Sequence, residues 1–76
     1  MTVDEALRTE AARGTLSPRM QMVKSVEALE DSYSAVVSGL IWADGREVSK
    51  RSLTVAADKA QLAADLLRAL AENGHD

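Results

Sequence analysis

A chain of 76 residues has room for one small domain. Its hydrophobic share of 46% and charged share of 28% exclude a wholly disordered, collagen-like or low-complexity chain. It has no cysteine, which removes disulfides, thiolate nucleophiles and Cys-ligated metals. Its net charge of −3 and pI of about 5.0 leave it without the overall positive footprint of a dedicated nucleic-acid binder.

The first predicted element is a short helix over Thr2–Arg13. Thr2 and Glu5 have capping-box spacing, in which the Thr hydroxyl accepts from a first-turn N–H. Gly14 ends it, because glycine tolerates the left-handed conformation at a helix terminus. The apolar stripe is thin: Val3, Leu7 and Ala11, with Ala6 beside them. The N-terminus is acidic early and lacks an apolar segment, so it does not read as a signal peptide. No run of apolar residues is long enough for a membrane span. A cytoplasmic protein is the expectation.

Ser17-Pro18 signals a second helix, with Ser17 as N-cap and Pro18 at the first helical position. Met22, Val23, Val26, Leu29 and Tyr33 fall within one arc of about 120°. The expected helix runs from Pro18 to about Glu30. A β-strand over Met20–Leu29 is the rival reading.

From Tyr33 to Trp42 the composition turns β-rich, and Asp44-Gly45 follows as a hairpin turn signal. Glu47–Ala56 is the expected return strand, with Val48, Leu53 and Val55 as its apolar members. Alternation places Tyr33, Ala35, Val37, Gly39 and Ile41 on one face, the face expected to take the last helix. Ser34, Val36, Ser38, Leu40 and Trp42 lie on the other. Asp58–Asn73 is the strongest helical pattern, with a capping box at Asp58 and Gln61 and a stop at Gly74. Its stripe is Ala60, Ala63, Leu66, Leu67 and Leu70. Its polar face, Gln61, Asp65, Arg68 and Glu72, contains supporting i,i+3 and i,i+4 charge pairs.

The expected fold is therefore a single α+β domain over 1–76, with helices packed on a β-hairpin in the order α-α-β-β-α. Residues 1–2 and 74–76 are expected as frayed tails. With Met20–Leu29 as a strand the order becomes α-β-β-β-α. A two-stranded sheet is marginal in water, so the Val36, Leu40 and Trp42 face needs covering by helices, a partner or a second copy. Edge strands pairing across a two-fold axis offer one route to a homodimer, and Lys50 and Arg51 on the edge oppose uncontrolled pairing.

Residues for catalysis or metal binding are sparse. His75 is the only histidine and lies after a helix stop. No phosphate-binding glycine motif, EF-hand spacing or Ser-x-x-Lys motif occurs. The serines have no histidine to activate them. No catalytic residue, metal or cofactor is expected. Glu27, Glu30 and Asp31 with Asp44 and Glu47 form an acidic surface suited to a basic partner or to solubility. Trp42, with Val36 and Leu40, is the candidate apolar anchor.

Arg46, Lys50 and Arg51 on the hairpin resemble the wing of a winged helix in layout. Two helices, a hairpin around Asp44-Gly45-Arg46 and a helix also resemble small phage head–tail joining proteins. The rival order resembles a double-stranded-RNA-binding domain, whose basic run is matched only by a displaced Ser49-Lys50-Arg51. None of these resemblances reaches a motif. The functional expectation is a non-enzymatic protein-binding module, a small acidic inhibitor or adaptor on a larger, nucleic-acid-handling complex, as among phage-encoded anti-defence proteins. The alternatives are a nucleic-acid binder using Arg46, Lys50 and Arg51, and a structural subunit of a phage-type assembly.

Overall fold

The computed structural model describes residues 2–43 and 50–73, the side chains of 41–43 excepted. The described residues form three helices: α1 (Val3–Arg13), α2 (Pro18–Ala43) and α3 (Lys50–Glu72). None of them lies in a strand. The fold is all-α, and this overturns the α+β expectation and its β-hairpin in both the α-α-β-β-α and the α-β-β-β-α orders.

The local signals at the two N-terminal helix starts act as expected. The Glu5 amide donates to Thr2 Oγ1 at 3.1 Å. The Met20 amide donates to Ser17 Oγ at 3.1 Å, which caps α2. Gly14 sits at φ 77°, in the left-handed region. There the amides of Gly14 and Thr15 donate to the carbonyls of Ala11 and Glu10, closing the end of α1.

The correction begins at Tyr33. Tyr33–Trp42 continues α2, and the described part of the expected return strand, Lys50–Ala56, is the first two turns of α3. Asp44, Gly45, Arg46, Glu47, Val48 and Ser49, including the hairpin turn signal, lie outside the described residues. So do Gly74, His75 and Asp76. The Asp58–Gln61 capping box is also overturned, because Asp58 lies well inside α3. The Gln61 side chain instead donates to Asp65 at 2.8 Å.

The reason for continued helix is a 3.5-residue repeat that runs through the β-rich stretch. Gln21, Ser25, Ala28, Ser32, Ala35 and Gly39 recur at spacings of four and three, and each is buried or half-buried. That period places them on one side of a helix. Small side chains along the seam let two helix backbones approach closely, and the contact with α3 outweighs the strand preference of Tyr, Val, Ile and Trp. Strand propensity is a weak signal when tertiary packing opposes it.

α2 and α3 run antiparallel. At one end of the pair the Gln21 amide donates to the Leu66 carbonyl at 3.3 Å. Farther along, the Ser32 hydroxyl donates to the Ala56 carbonyl at 2.8 Å. Ser25, almost fully buried, donates to the Gln21 carbonyl one turn back at 2.7 Å. These bonds satisfy polar side chains that would otherwise be costly to bury.

α1 runs parallel to α3 and lies over one face of the α2–α3 pair. Lys59 reaches Asp4 at 3.3 Å and Arg8 reaches Asp65 at 2.8 Å. Near the other end of α1, the Asn73 side chain donates to the Ala11 carbonyl at 3.1 Å. Beneath α1 is the buried cluster of Ala11, Ala28, Leu62, Ala63 and Leu66, edged by Leu7, Leu16 and Ala69. The core is thin: among the described residues its only large apolar side chains are Leu62 and Leu66. No helix among the described residues is long and apolar enough to cross a membrane.

Candidate interaction surface

Six of the larger apolar side chains of α2 do not enter that core. Met22, Val26, Leu29, Tyr33, Val36 and Leu40 recur at spacings of four, three, four, three and four, one residue out of phase with the small-residue seam. All six are exposed, from 45% at Val36 to 72% at Tyr33. At 3.6 residues per turn they occupy an arc of about 80°. This helix therefore buries its small residues and presents its large ones, the reverse of a surface helix in a closed monomer.

α3 carries a matching stripe. Leu53, Ala57, Ala60, Ala64, Leu67 and Ala71 follow the same spacing, and all six are exposed. On both helices the stripe lies about half a turn from the residues under α1. Those are Lys24, Ala28 and Asp31 on α2, and Lys59 and Leu62 on α3. Because α2 and α3 are antiparallel neighbours, both stripes point away from α1. They form one apolar face on the uncovered side of the helix pair.

Shallow grooves on α2 follow the same geometry. One, of about 360 Å³, is lined by Val26, Leu29, Glu30, Tyr33 and Ser34. Another, of about 370 Å³, is lined by Met22, Val23, Val26, Glu27 and Glu30. Residues 26, 29, 30 and 33, and residues 23, 26, 27 and 30, each stand at i, i+3, i+4 and i+7. That set of four makes the hole into which a facing helix inserts a side-chain knob.

The structure places some of the expected site residues on this surface. Val36 and Leu40 belong to the α2 stripe. Glu30 lies at its edge, and Glu27 and Asp31 are exposed farther round α2. Trp42 falls in α2, with its side chain outside the described part, and Asp44, Glu47 and Arg46 fall outside the described residues. Lys50 and Arg51 begin α3 and are exposed; the wing and head–tail resemblances lose their footing, because both depended on a hairpin. Pairing of edge strands into a dimer falls for the same reason.

Sequence reasoning placed Met22, Val26, Leu29 and Tyr33 on one arc and Ala60 and Leu67 in one stripe with Ala63, Leu66 and Leu70; the structure turns the arc outward and exposes Ala60 and Leu67 while burying Ala63 and Leu66. The signal that would have found the surface is the unbroken four–three spacing from Met22 to Leu40.

A second, polar cleft lies between α1 and the other helices, lined by Val3, Asp4, Leu7, Lys24, Glu27, Ala28, Asp31, Lys59 and Leu62. Its charges are largely paired: Lys59 with Asp4 and Lys24 with Glu27 at 3.2 Å. No group of His, Cys, Asp and Glu suited to a metal ion occurs among the described residues. Asp65 is held below its ordinary carboxylate pKa, first by the Gln61 amide and then by the Arg8 guanidinium that donate to it.

No known protein family matches this chain, and no curated protein or solved structure is significantly similar to it.

Proposed function

We propose that this chain is a non-catalytic protein-interaction module that recognises an apolar helical surface through the exposed α2–α3 face. The observation that carries this reading is the inverted burial of α2, with small residues inside and six large apolar residues outside at a coiled-coil period. An exposed contiguous apolar patch of this kind marks an interaction site. The α2 grooves have the knob-accepting geometry of helix-in-groove recognition. Glu30 at the edge of the stripe contributes to the polar rim that surrounds an apolar interface centre. In this reading the acidic groups set solubility and partner choice, and the apolar stripe supplies the affinity. In this reading the face engages a partner's helix, as an adaptor or inhibitor would.

The test is a selection of displayed amphipathic helices against the chain at nanomolar concentration. Binders are expected whose capture is lost with Leu29→Glu or Tyr33→Glu. Both residues are exposed in the isolated fold, so neither change disturbs the core, and retained helical circular dichroism verifies it. Binders indifferent to both substitutions would overturn the assignment of this face.

A further inference from the structure

The face just described is suited to one occupant in particular. We propose that a second copy of this chain covers it, giving a two-fold dimer in which α2 and α3 of both copies form a four-helix layer with α1 on each outer side. The inference rests on the interaction reading above and names its partner.

Area is the first support. The α2 stripe from Met22 to Leu40 is about 27 Å long at the helical rise per residue. Two helices side by side are about 20 Å wide. The flat footprint is therefore roughly 540 Å², and the ridged accessible surface above it is larger. That approaches the roughly 800 Å² per partner of a standard stable interface. It also lies near or beyond the upper end of the largest apolar patch on a typical monomer.

Shape is the second. The α2 stripe is a ridge of Met, Val, Leu and Tyr. The α3 stripe is low through its middle, at Ala57, Ala60 and Ala64, with Leu53 and Leu67 toward its ends. A ridge and a trough of matching length on one surface are self-complementary. A two-fold axis running along the helices sets α2 of each copy over α3 of the other, and keeps each residue at its own height along the pair. The Gln21–Leu66 and Ser32–Ala56 contacts fix those heights. They bring Val26 and Leu29 of one copy to the level of Ala57, Ala60 and Ala64 of the other. An isologous contact of this kind closes on itself and cannot propagate.

Charge is the third. None of the twelve stripe positions carries a charge, so the centre of the face offers a basic partner nothing to pair with. The charges of this acidic chain lie around the face, where two copies repel weakly through solvent.

The fourth support is the core itself. Among the described residues its only large apolar side chains are two leucines. Chains of this size commonly complete their core by oligomerising.

The experiment is sedimentation equilibrium from low micromolar to several hundred micromolar, on the wild-type chain and three variants. Wild type is expected to weigh twice its 8.1 kDa at the upper concentrations, with association strengthened or unchanged by added salt. Leu29→Glu and Tyr33→Glu are each expected to weaken association on the order of 100-fold or more, because each buries an unpaired charge. Ala60→Leu changes an exposed residue and leaves the monomer's packing untouched; it is expected to weaken the dimer by filling the trough. Circular dichroism on each variant verifies that the monomer is folded.

A monomer at every concentration, while selected helices still require Leu29 and Tyr33, overturns the second copy and leaves the interaction reading standing. A monomer for which no stripe-dependent helix is found overturns both. A dimer unaffected by all three variants places the contact elsewhere and overturns the proposal.

Discussion

Leu66 is fully buried and Leu40 is 69% exposed, so the same truncation at the two sites tests the packing directly. Leu66→Ala removes three methylene equivalents from the cluster under α1, about 2.4 kcal/mol at the transfer value per group. The helices around it cannot fully collapse, because α1 and α2 are anchored on either side by Arg8–Asp65 and by Gln21 to the Leu66 carbonyl. A residual void of roughly 50 Å³ adds about 1.2 kcal/mol. The expected loss is about 3.5 kcal/mol, within the range for buried Leu→Ala changes. A 76-residue domain has a total stability of roughly 4–11 kcal/mol, so the variant loses a third or more of it. Urea unfolding followed by circular dichroism measures both variants at a concentration low enough to keep the chain monomeric. Leu40→Ala is expected to change the unfolding free energy by less than about 0.5 kcal/mol there. Near-equal losses at the two positions would refute the assignment of Leu66 to the core and Leu40 to the outer face.

Three further outcomes follow from the same structure. Ser25→Leu places a larger side chain at an almost fully buried position of the α2 seam and deletes the bond to the Gln21 carbonyl; a loss of about 2 kcal/mol or more is expected in thermal unfolding. Gly14→Ala meets open space, with no heavy atom beyond its chain neighbours within 4 Å of the added carbon, so its cost is conformational alone, about 1 kcal/mol for an alanine at positive φ. Gly14→Asn is expected to recover part of that cost. The depressed pKa of Asp65 makes its contribution fully present above the unfolded carboxylate value near ~3.9 and lost as pH falls through the lower folded value. Asp65→Asn is therefore expected to flatten stability against pH in that acid window, by no more than about 1 kcal/mol because the pair is partly exposed.

Local chemistry determined the ends of the N-terminal elements. Thr2 and Gly14 bound α1, and Ser17 with Pro18 starts α2, because caps and left-handed turns are satisfied by groups only a few residues away. The helical pattern over Asp58–Asn73 also holds, although α3 begins two turns earlier. Sequence pattern misled where two periodicities overlapped. Tyr33–Trp42 reads as a strand by residue type, yet Ser32, Ala35 and Gly39 continue a 3.5-residue seam that only pays off once α3 lies against it. A single sequence does not weigh that long-range contact against local strand propensity.

Val36 and Leu40 stood out in the sequence as members of an uncovered apolar face, and that surface exists on a helix in place of a sheet. Its true extent, from Met22 to Leu40 and across to Leu53–Ala71, depended on which side of α2 turned inward. The tertiary structure decided it, because small side chains on the inner seam allow close backbone approach and α1 then covers the single remaining inner face. What length and composition determined at the outset was a small, cysteine-free, acidic domain with little to fill a core. Packing decided that six larger apolar side chains of α2, from Met22 to Leu40, would be left outside, on the face opposite α1.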